Sequence, residues 1–391
     1  MIRAYKNLFL PIGLLSSSII GAGVFALPYV FVKSGILTGI FYLILGSIVL
    51  CLVHLMYADI MFKTPGKHRF VGYAKIYLGD WSFWISIFMG VVEMILVMTI
   101  YLILSESFLN LIHPGNDSYS IIIFWLLGSI AIFSSLKKLA FIEFLISLSM
   151  ISIIVLIGFL GLKNIPNMDL GTFNFLPDFK SLKSIALPLS PILFSLSGSI
   201  AIPSVVEYFK TQRINRAAKF LRRSIILGTV IPTIFYIIFI FGILSISKNV
   251  SEDSVTGLIN YVPEFFLVLT GFLGILCLWS SYIAVGSNIE SVLKMDLSFR
   301  SLTRIFTVIF VPICLYFLGL KNFIDLIGII GGIFLGLEGM FIILMWLRMN
   351  KRVKFQGTLI GKNHFALVIV SMIVFSGALL LEILKNALHI F

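Results

Sequence analysis

The sequence predicts an all-α polytopic membrane protein of 11 transmembrane helices. The first ten form a five-plus-five inverted repeat with broken helices 1 and 6, and one extra helix follows at the C-terminal side. Three observations predict it. Hydrophobic residues make up 59% of the chain and charged residues 12%, with a mean hydropathy of +1.10; a soluble domain carries about 25% charged residues. The apolar residues fall in runs long enough to cross a hydrocarbon layer of roughly 30 Å. Two of those runs carry glycine and proline in mid-span, at matching places in the two halves of the chain.

Span 1 covers residues 7–33, with Gly21-Ala22-Gly23-Val24-Phe25-Ala26-Leu27-Pro28 at its middle. Glycine and proline weaken a helix there. The backbone groups they free cannot face lipid, so the break must be buried in protein or line a wet cavity. Arg3 and Lys6 ahead of the apolar run resemble the opening of a signal peptide. The run continues through Pro28 without a cleavage site, however, and reads as a retained first helix. After span 2 (35–62), the polar stretch Lys63 to Asp80 reads as a turn at Thr64-Pro65-Gly66 plus a short amphipathic interfacial helix. Spans 3 (81–112), 4 (119–136) and 5 (139–163) close a first repeat, 1–163. A long loop, 164–184, leads to span 6 (185–209), which carries Pro188, Pro191, Gly198 and Pro203. Lys210 to Arg223 is a basic connector before span 7 (224–247), and loop 248–262 precedes spans 8 (263–291), 9 (301–318) and 10 (321–347). The second repeat is therefore 164–347, and a linker plus span 11 (365–388) occupies 348–391, the whole forming a single domain.

The net charge of +12 raises the question of nucleic acid. With the N-terminus in the cytoplasm and the C-terminus outside, most of the 29 lysines and arginines fall in cytoplasmic loops, so the excess is topological. Cys51, Cys277 and Cys314 all sit in apolar runs and predict packing roles rather than disulfides or a metal site. Compact loops point to a prokaryotic inner membrane, where the sequons at Asn116 and Asn249 carry no meaning.

The two interruptions echo one another. Gly23-Val24-Phe25-Ala26-Leu27-Pro28 and Gly198-Ser199-Ile200-Ala201-Ile202-Pro203 share the pattern Gly-x-x-Ala-Leu/Ile-Pro. One lies in span 1 and the other in span 6, so they cross in opposite directions. Paired interrupted spans of that kind mark the substrate site of inverted-repeat transporters. A helix-packing glycine motif or a proline kink would explain either break alone; the pairing favours a site.

With the loop Thr64-Pro65-Gly66-Lys67-His68-Arg69-Phe70-Val71-Gly72-Tyr73-Ala74 and the stretch Phe194-Ser195-Leu196-Ser197, these motifs resemble the amino acid/auxin permease family, near the aromatic amino acid permeases, within the amino acid–polyamine–organocation superfamily. The resemblance covers spans 1 to 10. It implies a LeuT-type fold and secondary active, ion-coupled amino acid transport by alternating access.

An amino acid needs donors for its carboxylate and acceptors for its ammonium. N–H groups at Gly21, Ala22 and Gly23, opening the outer half of span 1, suit the anion. Unwound carbonyls around Ser195, Ser197 and Gly198 suit the ammonium, and Val24 and Phe25 complete the expected substrate set. No cofactor is expected beyond a coupling ion, Na⁺ or H⁺. The resemblance implies a sodium site between the break at Ala22 and Ser280-Ser281 of span 8, although hydroxyls there equally serve helix carbonyls. Glu93 and Glu338 lie well inside spans 3 and 10, where a charge is costly; each is a proton carrier or a neutral packing group. Glu143, Glu207 and Glu290, beside basic residues, suit gating or structural pairing, and His54 and Asp59 form a polar pair or interfacial anchors. The expected partners are an amino acid and the lipid bilayer, with no nucleic acid and the oligomeric state open. The sequence shows no triad, metal cluster or phosphate loop of an enzyme. The rival readings are a non-transporting amino acid sensor, a carrier of another small organic cation or zwitterion, and a channel.

Overall fold

The computed structural model describes residues 8–66, 68–113, 115, 119–133, 139–164, 176, 186–211, 217–352, 359–360 and 365–388. The sequon at Asn116, Lys137 and Lys138, the Glu143 side chain and nearly all of the 164–184 loop lie outside the described residues. Everything regular among the described residues is helical.

Span 1 is broken where the glycines fall. Helix α1 (Leu10–Ile19) ends at Ile20, a 3₁₀ turn (Ala22–Ala26) follows, and α2 (Leu27–Ser34) continues at an angle of 47°. Gly21 is extended, with φ −136° and ψ −166°, so the backbone leaves the helix for one residue and re-enters at Ala22. Next come α3 (Ile36–Lys63), the short α4 (Phe70–Leu78) and α5 (Asp80–Ile112). Helix α4 buries Tyr73, Ala74, Tyr77 and Leu78, as an amphipathic segment should. Helices α6 (Tyr119–Ile132) and α7 (Leu139–Asn164) complete the first half.

Span 6 is broken in the same manner. Helix α8 (Leu189–Leu196) stops, Ser197 is extended, a 3₁₀ turn (Ser199–Ala201) intervenes, and α9 (Ile202–Thr211) resumes. Then follow α10 (Ala217–Ile246), α11 (Glu264–Met295), α12 (Ser301–Phe317), α13 (Phe323–Ile329), a π-helical stretch (Ile330–Phe334), α14 (Leu335–Arg352) and α15 (Phe365–Leu388). Two expected boundaries move. Lys219, Arg222 and Arg223, read as connector, are the first turns of α10, because Leu221 and Ser224 between them are buried and bind that turn to the bundle. Likewise Arg348 and Lys351 stay helical in α14; Arg348 donates to the Tyr77 carbonyl at 3.0 Å, which fastens α4 to α14.

Seven described helices are long and apolar enough to cross a membrane, and the bent α1–α2 pair makes an eighth; Ser120–Ile132, Leu148–Leu162 and Ser301–Phe317 are shorter apolar helices. Trp84, Phe88, Ile130, Leu302 and Phe365 stand exposed around the outside. An apolar surface of that extent is stable only against lipid. Contacts repeat under exchange of the two halves. Helix α1 packs on α10 as α8 and α9 pack on α3, and α11 packs on α7 as α13 and the π stretch pack on α5. That is the pairing an inverted repeat requires.

Helix α15, outside the repeat, is fastened by charge. Glu382 is 6% exposed, accepts from Ser190 Oγ at 3.2 Å, and lies with Lys385 beside Asp325. Its side chain fills the groove at Gly328 and Gly332, while Gly331 packs directly on the Ser190 carbonyl. The start of broken span 6 is thus held between the π stretch and α15. A Cβ at Gly331 would run into that carbonyl, whereas one at Gly13 meets nothing within 4 Å. Gly331→Ala is expected to cost about 1–3 kcal/mol by overpacking and to lower the melting temperature of the detergent-solubilised protein, with Gly13→Ala unchanged.

Candidate functional site

The two breaks touch. A Cβ on Gly23 would lie 2.7 Å from both Cα and Oγ of Ser195, so only glycine lets the two backbones approach this closely. Ser195 Oγ, buried, lies 2.8 Å from the Gly23 carbonyl and 2.7 Å from the Pro191 carbonyl, and its one proton serves this pair of acceptors. Tyr236 on α10 ties the breaks from behind: its hydroxyl lies 2.6 Å from the Ile19 carbonyl and 2.7 Å from the Ser195 carbonyl. Both carbonyls lie in the last turn before an interruption, where helical partners are lacking.

A third tie comes from α3. Gly198 N–H donates to His54 Nε2 at 3.2 Å, so that nitrogen carries a lone pair and the proton resides on Nδ1. Nδ1 faces Thr229 Oγ1 at 3.3 Å, and Thr229 in turn donates to the Ile225 carbonyl. His54 is fully buried, and neutral imidazole with both nitrogens engaged suits that position. The expected His54–Asp59 pair does not form. Asp59 accepts from Trp346 Nε1 at 3.0 Å and from Lys63 Nζ at 3.2 Å, because the five-residue spacing turns the two side chains to different neighbours.

In front of the crossing lies a cavity of about 490 Å³, lined by Gly21, Ala22, Gly23, Ser195, Ser197 and Ser199 from the breaks. Tyr57, Ser86, Glu93, Tyr101, Asn288 and Glu338 line it from the surrounding helices, and it runs to a mouth at His68, Arg69 and Asp296. There Arg69 Nη1 and Asp296 Oδ2 form an ion pair of 3.0 Å. The opposite side is shut: Ser254, wholly buried in the 248–262 loop, donates to the Phe25 carbonyl at 2.6 Å. In that loop the Glu252 carboxyl is held above its ordinary pKa by partial burial and by Asp325 and Asp253, with Lys33 opposing.

Most of the expected residues come together here, and some do not. Val24 and Phe25 are fully buried and do not line the cavity; Phe25 packs edge-on against Phe108 and Phe239. The 3₁₀ turn rotates these side chains into the core while the backbone at Gly21–Gly23 faces the opening. Gly198 also lies behind the lining, its N–H taken by His54 and its Cα against Ile19 and Leu15. Ser280 and Ser281 do not line the cavity either. Ser280 donates to its own helix at the Leu276 carbonyl, and Ser281 faces Tyr101 and Cys277. Glu93 and Glu338 both line it, within Coulombic reach of each other, and the Glu338 carboxyl lies near the Ser199 hydroxyl at the break. Glu290 pairs with Arg304 at 3.4 Å, a structural contact. Tyr236, Ser86 and Ser254 escaped the sequence reading because nothing marks them in an apolar run. His54 carried a signal, a lone polar ring inside a span.

A bundle with two crossing breaks, one closed face and one cavity defines a membrane transporter of the LeuT-type fold. Comparison with known proteins agrees. The family model of the transmembrane amino acid transporter protein matches residues 12–245, and the chain belongs to that family. No curated protein sequence matches. Among solved structures, MhsT in complex with L-phenylalanine superposes with a TM-score of 0.64 at 16% identity, covering 96% of this chain and 98% of that one. The Eremococcus coleocola manganese transporter with an aromatic bis-isothiourea substituted compound gives 0.56 at 15% identity, over 98% of this chain and 87% of that one. A mutant of the same manganese transporter gives 0.60 at 14% identity with the same coverage.

Tyr236→Phe removes the one donor shared by two buried carbonyls. An unsatisfied buried acceptor costs about 1–3 kcal/mol. The variant is expected to melt several degrees lower in detergent and to bind substrate more weakly, as followed by thermal shift with and without ligand.

Proposed function

We propose that the protein is a secondary active amino acid permease that works by alternating access and is coupled to H⁺ or Na⁺. The observation that carries this reading is that both broken spans open their backbone onto one cavity. The N–H groups of Ala22 and Gly23 open the 3₁₀ turn and have no intrahelical acceptor, so they suit a carboxylate. At span 6 the Ser195 carbonyl is taken by Tyr236 and that of Gly198 by Ala201 N–H, which leaves the Ser197 carbonyl, on the cavity wall, for an ammonium group. Ser195 and Gly198 act as struts that hold this geometry, and Val24 and Phe25 as packing behind it.

For the coupling ion, Glu338 is the better-placed group. It lines the cavity beside Ser199 at the break that must move, so gain or loss of a proton there would be felt by the moving element. A sodium site between Ala22 and Ser280-Ser281 is the alternative, though both hydroxyls are engaged along or beside α11. The cavity mouth lies at Arg69 and Asp296, beside the loops rich in lysine and arginine. On this reading the mouth is cytoplasmic, the N-terminus lies on the inner side of a prokaryotic inner membrane and the conformation is inward-facing, with the Ser254 contact sealing the outer side.

In proteoliposomes loaded with unlabelled amino acid, the purified protein is expected to accumulate labelled amino acid by counterflow and to respond to an imposed proton or sodium gradient. Gly23→Leu would drive the crossing breaks apart and Gly198→Leu would strike Ile19; each should abolish uptake while the protein still reaches the membrane. Ligand binding without flux would instead make it a sensor, and undiminished uptake in both variants would remove the breaks as the site.

A further inference from the structure

The carboxylates in the cavity are not equivalent. Glu338 has the Ser199 hydroxyl of the break close by. Glu93, in the middle of α5, lines the same cavity and has neither a hydrogen-bond donor nor an ion-pair partner among the described residues; the charge it feels is that of Glu338, another carboxylate. The groups facing the cavity from the packed elements are Tyr57 on α3, Ser86 and Tyr101 on α5, Asn288 and Asp296 on α11, Glu338 on α14, and His68 and Arg69 at the mouth. Among these Arg69 is the one permanent cation, and it is committed to Asp296 at 3.0 Å and to Ser291 Oγ at 3.2 Å. An ionised carboxylate with no counter-charge in a membrane interior is costly, so Glu93 either holds a proton or is compensated by a cation that enters the cavity.

A second observation points the same way. Ser86 is 2% exposed, its hydroxyl has no partner, and it lines the cavity on the same helix as Glu93. Seven residues separate them, two turns, which puts both on one face about 10 Å apart along the axis. A free carboxylate and a free hydroxyl along one wall are a complement for a chain ending in N–H donors. The volume of about 490 Å³ accommodates such a chain.

We propose that Glu93 is the docking group for a cationic substrate side chain, so that the amino acid carried is a basic one, bearing an ammonium or guanidinium group at the end of its side chain. This rests on the amino acid permease reading and names its substrate class. The α-carboxylate and α-ammonium engage the breaks, the distal cation reaches Glu93, and Ser86 accepts a further N–H. A neutral side chain of the same length leaves Glu93 and Ser86 unpaired, and a site built for hydrogen bonds rejects the analogue that lacks them.

The test is a comparison of isosteres with the full chain in proteoliposomes. Arginine against citrulline and lysine against norleucine differ in charge at nearly constant shape, and each competes with labelled substrate in counterflow. At least one basic member is expected to compete tenfold or more better than its neutral isostere. Glu93→Gln should reduce that ratio at least tenfold, and Ser86→Ala should reduce the arginine ratio several-fold, which keeps the test open if Glu93→Gln melts early in detergent. Neutral isosteres that compete as well as the basic ones in the wild-type protein would overturn the assignment of Glu93 and leave the permease reading standing. No counterflow with any amino acid, basic or neutral, would overturn both.

Discussion

The rest of the structure depends on one constraint: a helix interrupted in the middle of a membrane must find partners for its backbone inside the protein. Two helices are interrupted here, and they solve the problem jointly. Tyr236 serves the carbonyls of Ile19 and Ser195, Ser195 serves Gly23, and His54 serves the Gly198 N–H. The partners come from α8, α10 and α3, so the breaks bind the two halves of the bundle together at the level where their backbones are least regular. What remains unsatisfied faces the cavity. That unmet hydrogen bonding is what the proposed amino acid site rests on.

The two ends of the cavity are treated differently. On one side the Ser254 hydroxyl reaches the Phe25 carbonyl and buries itself completely, and Phe25 is wedged between Phe108 and Phe239. On the other a partly exposed ion pair, Arg69–Asp296, stands at the mouth. Exposed ion pairs contribute little, whereas a buried hydrogen bond with aromatic packing must be dismantled before water can enter. The asymmetry fits a carrier at rest in one of its two states, with the tight seal on the closed side. The π-helical stretch at Ile330–Phe334, held against Ser190, and the Glu382–Lys385–Asp325 cluster of α15 support the fixed end of span 6.

The family resemblance and the fold comparisons bear on different levels. The match over residues 12–245 establishes membership. The superpositions, all at 16% identity or below, establish architecture. That chains this divergent share a bundle follows from the physics: lipid accepts nearly any apolar side chain on the outside, so the same bundle tolerates very different sequences.

Much of the fold was legible in the sequence because lipid imposes it. A run of apolar residues must be a helix, lysines and arginines concentrate in loops, and Gly-Ala-Gly before a proline cannot continue regularly. Glycine at positions 21, 23 and 198 therefore announced the breaks, and their opposed directions announced the inverted repeat. Which atoms fill the breaks was not legible. Tyr236 is one tyrosine among 13, and nothing along the chain says that its hydroxyl lies where two carbonyls meet. Val24 and Phe25, adjacent in sequence to cavity-lining residues, turned inward because a 3₁₀ turn rotates successive side chains by about 120°. Glu93 and Glu338 were visible as costly charges, but only packing brought them into one cavity and set Ser199 beside Glu338. The sequence by itself determined the solvent, the helices and the places where they fail; the tertiary structure decided the partners, because hydrogen bonds between spans depend on rotation and depth that no local pattern encodes.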